Sequence, residues 1–207
     1  MTNYIVGLTG GIGSGKTTIA NQFTAFGIDI VDADLSAREV VKPDTKCLDE
    51  IKQHFGEQVI LPSGELDRTA LRNIVFHQPE EKAWLNKLLH PAIRLHMQEM
   101  LDNSGSAYTL LVAPLLFENG LEKLCHTTLV IDVPESVQIA RTVKRDNSNT
   151  TTIQNIINAQ ISRDKRLTLA DHIIDNNKPL TEIASQITKL HQLFLQQAAH
   201  QENKTRN

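Results

Sequence analysis

Cysteine is scarce in this chain, and the little there is does not pair by pattern. Cys47 and Cys125 stand far apart, and no C-x-x-C occurs, which leaves no disulfide framework and no zinc-ligand spacing. Aromatic residues make up only 4% of the sequence. No apolar run approaches the ~18 residues that would read as a membrane span. Neither sign of charge dominates: 21 Lys and Arg face 24 Asp and Glu, a net of −3. A protein that grips nucleic acid through a global basic field is therefore not expected, although a local basic pocket for phosphates remains open. The start, Met1-Thr-Asn-Tyr4, carries no basic stretch ahead of an apolar one, so no secretory leader is expected. The eight histidines show no H-E-x-x-H or similar ligand spacing. The expectation from these absences is a soluble cytoplasmic protein.

What the chain does have is a glycine-rich start. Residues 5–18 read Ile-Val-Gly-Leu-Thr-Gly-Gly-Ile-Gly-Ser-Gly-Lys-Thr-Thr, and Gly10, Gly15, Lys16 and Thr17 fill G-x-x-x-x-G-K-[ST]. The residue types suit phosphate. Glycines let successive backbone N–H groups turn toward an anion, Lys16 reaches the β- and γ-phosphates, and Thr17 offers a hydroxyl to Mg²⁺. The apolar run Tyr4–Leu8 before the loop reads as a buried strand and Thr17–Phe26 after it as a helix, the setting this motif requires. A ligand-free tight turn is the plainer alternative.

Further runs give Gly27–Val31, Tyr108–Ala113, Thr128–Val133 and His172–Asp175 as strands. Helical patterns separate them, so the expected fold is α/β: a P-loop NTPase core of about five parallel strands, with a helical insertion and a helical lid. A helix is expected from near Leu35, another from Pro43–Asp44 to Phe55, a third opening at an Asp67 cap, and a fourth opening at Pro79. Residues 180–199 read as a terminal amphipathic helix, with a frayed polar tail from Gln201. The division expected is core at 1–41, 106–134 and 168–207, helical subdomain at 42–105 and lid at 135–167.

In a parallel sheet, ligands gather at the carboxyl ends of the strands. That rule singles out Asp32 and Asp34 after the second strand and Pro114–Glu118 after the third. In extended geometry the two aspartates share a face; one carboxylate could accept a proton from an attacking hydroxyl and the other hold a Mg²⁺ water. Capping the next helix is the structural alternative for Asp34, as it is for Glu118 against a place near metal or substrate. Arg141, Lys144 and Arg145 fall on one helix and Arg163, Lys165 and Arg166 on the next, across the polar Asn147–Thr152 turn. Arginines so placed suit a lid that closes over a transferring phosphoryl group, and a solvated helix face is the plainer alternative.

Taken together, the chain resembles the dephospho-CoA kinase family along nearly its whole length. The segments that carry the likeness are Gly7–Thr18, Asp32-Ala-Asp-Leu-Ser-Ala-Arg38, Leu89-His-Pro-Ala-Ile-Arg94, Val112–Glu118, Ala159-Gln-Ile-Ser-Arg163 and Ala170–Asn176. The resemblance implies ATP as donor, with Mg²⁺, and the ribose 3′-hydroxyl of dephospho-coenzyme A as acceptor. It implies that Gly11, Ile12, Gly13, Ser14, Gly15, Lys16, Thr17 and Thr18 bind ATP. Asp34 is the implied general base with Asp32 beside it, and Lys16 and Arg141 act on the phosphoryl group. Thr17 and Asp32 serve the metal, and Thr9, Arg38, His90 and Arg94 the acceptor. Thr17 stands where the family more often has Ser, and Asn177 where many members have Gly. No Asp ends the third strand, so the usual Walker B carboxylate is missing.

Three rivals deserve weighing. Another small-molecule kinase, such as a nucleoside or shikimate kinase, would share the loop. A GTPase-like switch would need Asn-Lys-x-Asp, and Asn177-Lys-Pro-Leu180 lacks the Asp. A non-catalytic nucleotide-binding module would leave the aspartates and lid arginines without a task. Partners beyond the two substrates are not expected: no nucleic acid, no membrane, and at most a weak homo-oligomer.

Overall fold

A computed structural model describes residues 4–206. The elements follow one another as β1 Ile5–Thr9, α1 Lys16–Thr24, β2 Asp29–Asp32, α2 Ala33–Glu39, α3 Lys46–Phe55, α4 Arg68–His77, α5 Pro79–Asp102, β3 Thr109–Val112, β4 Thr127–Asp132, α6 Glu135–Asp146, α7 Thr150–Ala159, α8 Arg163–Thr168, β5 His172–Asp175 and α9 Leu180–Arg206. The chain forms two compact units. One holds the chain up to Val31 and again from Leu101; the other is Asp32–Met100.

The first unit is built on a five-stranded sheet in the order β2-β3-β1-β4-β5. β1 lies parallel between β3 and β4, with Gly7 opposite Leu111 on one side and Thr128 on the other, and β4 runs parallel to β5. Every residue of β1, β3 and β4 is buried. That explains apolar stretches such as Leu110–Val112 and Leu129–Ile131, since a parallel sheet has helices on both faces, while the buried polar residues Thr9, Thr109, Thr127, Thr128 and Asp132 stand at or next to the strand ends. Val6, Leu8, Leu110, Leu129, Ile131 and Ile174 join Ile19 and Phe23 of α1 and Ile183, Ile187 and Phe194 of α9 in one core. Phe23 stacks on Phe194 with ring centroids 6.4 Å apart. Both cysteines are free thiols, and burial pushes the Cys125 thiol up to about 12, which rules it out as a nucleophile near neutral pH.

The second unit has its own core of Val41, Leu48, Ile51, Phe55, Val59, Leu66 and Leu71, against which Trp84, Leu85, Leu88 and Leu89 of α5 pack. The 3.6-residue spacing of Leu48, Ile51 and Phe55 puts all three on one face of α3. Thr45 caps α3 and Asp67 caps α4, each through a side-chain oxygen.

Several boundaries differ from those the sequence suggests. The second strand runs Asp29–Asp32, because Gly27 turns the chain with φ 76° after α1. The following helix begins at Ala33 rather than near Leu35, since Asp32 is its cap. α3 begins at Lys46 instead of Pro43; Asp44 holds φ 66°, which no helix accommodates. The polar Asn147–Thr152 turn leads into α7 through an Asn149 cap, so Arg163, Lys165 and Arg166 sit on a separate short helix, α8. The terminal helix does not stop at 199 but continues to Arg206. α5 passes through Pro91, where the missing N–H leaves the Lys87 carbonyl without its helical partner.

Candidate active site

The loop between β1 and α1 supplies the geometry that its glycines promise. Gly13 and Gly15 have φ of 71° and 91°, left-handed values that disfavour residues with a side chain. Neighbours also demand their smallness. A Cβ on Gly11 would lie 2.5 Å from Gln138 Nε2, and one on Gly13 would lie 2.5 Å from Thr142 Oγ1 and 2.7 Å from the Gln138 carbonyl. α6 therefore seats directly on the loop. Lys16 Nζ folds back onto the loop and donates to the carbonyls of Gly10 at 2.8 Å and Gly11 at 3.1 Å. Thr17 and Thr18 are exposed on the first turn of α1, where the free backbone N–H groups and the helix dipole favour an anion.

Other strand ends in the same unit surround the loop. Thr9 is buried and its hydroxyl donates to the Pro114 carbonyl at 3.3 Å, so it braces the turn after β3. Ile12 N–H donates to Gln160 Oε1 at 3.2 Å. Asn176, just past β5, donates from Nδ2 to the Ser14 carbonyl at 2.7 Å and accepts at its own carbonyl from Arg141 Nη2 at 3.0 Å. Exposed Arg141 thus stands beside the phosphate loop.

Three further arginines of the expected lid, Arg145, Arg163 and Arg166, make contacts away from the loop. Arg163 makes two bonds to Asp132 at the end of β4, at 2.9 and 2.6 Å, and the carboxylate holds its guanidinium more firmly charged. Arg166 is buried and donates to the Ile161 carbonyl at 2.9 Å; burial lowers its pKa, with Glu118 and Asp132 opposing. Glu118 accepts from the Ile161 N–H at 3.0 Å, tying the turn after β3 to the segment before α8. Arg145 turns to its neighbour Asp146 at 2.6 Å. The inward-facing arginine cluster reduces to Arg141 alone.

In the second unit, Asp32 Oδ1 accepts from the N–H groups of Asp34 at 2.8 Å and Leu35 at 3.1 Å. The two aspartates do not share a strand face, because Asp34 lies in the first turn of α2; Asp32, not Asp34, is the cap. Asp34 and Arg38 are exposed, as are His90 and Arg94 on α5.

The sequence model of the dephospho-CoA kinase family matches residues 4–182. A dephospho-CoA kinase of Shewanella oneidensis is 52% identical over 196 residues, covering 95% of this chain and 96% of that one. The chain belongs to the dephospho-CoA kinase family. A solved Thermus thermophilus structure superposes with TM-score 0.82 at 30% identity, covering 93% of this chain and 98% of the other. The dephospho-CoA kinase of Campylobacter jejuni gives 0.68 at 27%, covering 91% and 95%.

Within that family setting, sequence reading overlooked four residues of the loop's surroundings. Gln138 and Thr142 are uncharged residues on a helix read for its arginines, and Gln160 lies in a family segment, Ala159–Arg163, in which no role was given to it. Asn176 closes a family segment but carries no charge and no motif spacing. For Gln138, Thr142 and Asn176 the available signal was in the glycines, whose missing side chains leave room for something pressed against them.

Proposed function

We propose that this chain, as an enzyme of its family, moves the γ-phosphoryl group of ATP onto the ribose 3′-hydroxyl of dephospho-coenzyme A, yielding coenzyme A and ADP. The observation that carries this is the loop: left-handed Gly13 and Gly15, Lys16 against the loop carbonyls, and Arg141 beside it. Gly11 to Thr18 cradle the donor phosphates. Lys16 exchanges the Gly10 and Gly11 carbonyls for phosphate oxygens, and Arg141 meets the charge that spreads over the transferring group. Asp34 takes the proton of the attacking hydroxyl. It lies in the first turn of α2 and is an exposed residue, and a carboxylate is a suitable proton acceptor for a hydroxyl. Arg38, from the core segment 1–41, binds the acceptor together with His90 and Arg94 of a helical acceptor-binding subdomain over 42–105, and 135–167 act as the lid. Thr9 contributes from below by holding the Pro114 turn.

Thr17 and Asp32 are each of a donor type that Mg²⁺ accepts. Thr17 offers an exposed hydroxyl, and the cap occupies only Oδ1 of Asp32, leaving Oδ2 outside it. No group of three or more His, Cys, Asp or Glu suited to a metal occurs among the described residues. When bound, Mg²⁺ neutralises charge on the β- and γ-phosphate oxygens. Among the described residues no helix is long and apolar enough to cross a membrane. We place the enzyme in the cytoplasm, as a monomer or weak homo-oligomer.

A coupled ADP-release assay over a panel of hydroxyl acceptors tests the reaction. Dephospho-coenzyme A should accelerate ADP release above every other acceptor; an equal response across the panel would overturn the assignment. Asp34→Asn should cut turnover by roughly 10²–10⁴-fold with ATP affinity retained. Unchanged turnover would remove the proton-accepting role from Asp34.

A further inference from the structure

Asn176 is where three parts of the phosphate site meet. Its backbone N–H donates to the Asp132 carbonyl at 2.8 Å, which fixes it to the end of β4. Its side-chain Nδ2 donates to the Ser14 carbonyl at 2.7 Å, and its own carbonyl accepts from Arg141 Nη2 at 3.0 Å. A Cβ on Gly15 would run into Nδ2. The side chain is not needed to shape the turn it sits in, because Asp175 Oδ1 already accepts from the Asn177 N–H at 3.0 Å.

The bond to Ser14 has a directional consequence. A trans peptide is planar, with its C=O and N–H pointing opposite ways. Holding the Ser14 carbonyl toward Asn176 therefore aims the Gly15 N–H away from it. The φ of 91° at Gly15 belongs to this orientation, and glycine has little intrinsic preference that would maintain it unaided. Backbone N–H groups are what such a loop offers to phosphate.

We infer that Asn176 is a positioning residue for the nucleotide: its amide locks the Ser14–Gly15 peptide so that the Gly15 N–H is presented to phosphate, and its carbonyl seats Arg141 at the same loop. This deepens the ATP reading above and rests on it. Locking the peptide serves bound ATP in ground and transition states alike, so its loss falls on ATP affinity more than on turnover.

Two variants test this: Asn176→Ala, which removes the donor, and Asn176→Asp, which keeps the shape but sets an acceptor-only carboxylate against the Ser14 carbonyl. ATP affinity is measured by calorimetric titration without acceptor, and KM and kcat by ADP release. Asn176→Ala should weaken ATP binding about tenfold, the scale of one buried carbonyl left unsatisfied. Asn176→Asp should weaken it further. In both, kcat at saturating ATP should fall less than about threefold, with the KM for dephospho-coenzyme A within about twofold of wild type. Unchanged ATP affinity in Asn176→Asp overturns the inference, as does an equal rise in both KM values, which a general loss of packing would give. Should Asn176→Ala fail to fold, the near-isosteric Asp variant decides alone. Wild-type turnover, run in parallel, keeps the two readings apart: its absence counts against the reaction, whereas intact ATP affinity in Asn176→Asp counts against Asn176 only.

Discussion

Helices α6 and α8 carry basic residues of the same type at similar spacing, and the two sets are used differently. On α6, Arg141 is exposed and rests on the Asn176 carbonyl beside the phosphate loop. On α8, Arg163 is bidentate on a nearly buried Asp132, and Arg166 is itself buried under the Ile161 carbonyl. A guanidinium that bonds one backbone carbonyl can leave it for phosphate at small cost. One paired with a buried carboxylate cannot leave without stranding that charge, which is strongly unfavourable. The same residue type thus rests on a backbone carbonyl on one helix, where the proposed function gives it a task, and acts as a fastening on the other.

Arg141→Ala breaks the comparison on the α6 side and has the largest expected effect. Turnover should fall by roughly 10²–10³-fold, as when one preorganised donor to a transition-state charge is lost, with little change in thermal stability. Steady-state kinetics with a melting curve check this. A loss of stability with turnover intact would make α6 a fastening as well.

Arg163→Ala should show the opposite profile. The pair is half open to water on the arginine side, with side-chain exposures of 43% and 11%, so screening reduces its worth below that of a fully buried bridge. Stability should fall by about 1–3 kcal/mol, mostly from leaving Asp132 unpaired, while turnover of the folded fraction stays within about tenfold. Denaturant unfolding reads the first quantity. A turnover loss matching that of Arg141→Ala would mean that Arg163 leaves Asp132 during the reaction.

This contrast marks the limit of what the sequence discloses. The sheet was readable because β1, β3 and β4 are buried on both faces and so have apolar stretches, with their polar residues at or next to the ends. The loop was readable because its glycines, Lys16 and Thr17 answer to one ligand chemistry. The geometry of Asp32 and Asp34 was not. Whether an aspartate after a strand stays extended or caps a helix depends on where the helix starts, and a competing hydrogen bond decides that. The fate of the arginines was hidden too, since Asp132 lies at a strand end 31 residues before Arg163 and only the fold brings them together. Asn176 was invisible as a contact because its partner is a backbone carbonyl, which every residue has.

Arg145→Ala sharpens the comparison from its weak end. Arg145 shares α6 with Arg141, one helical turn further on, yet it pairs with the adjacent Asp146 in solvent, with side-chain exposures of 64% and 40%. The Asp146 carboxylate raises the Arg145 pKa through its hydrogen bond, but an exposed pair of this kind contributes little and salt screens it. Removing it should change turnover by less than about twofold and leave the melting curve unmoved, in low and high salt alike. If turnover instead falls by more than tenfold, Arg145 swings from Asp146 onto the phosphate during the reaction. The distinction between the helices would then rest on how easily a pair is broken, with exposure rather than position along α6 as the deciding property.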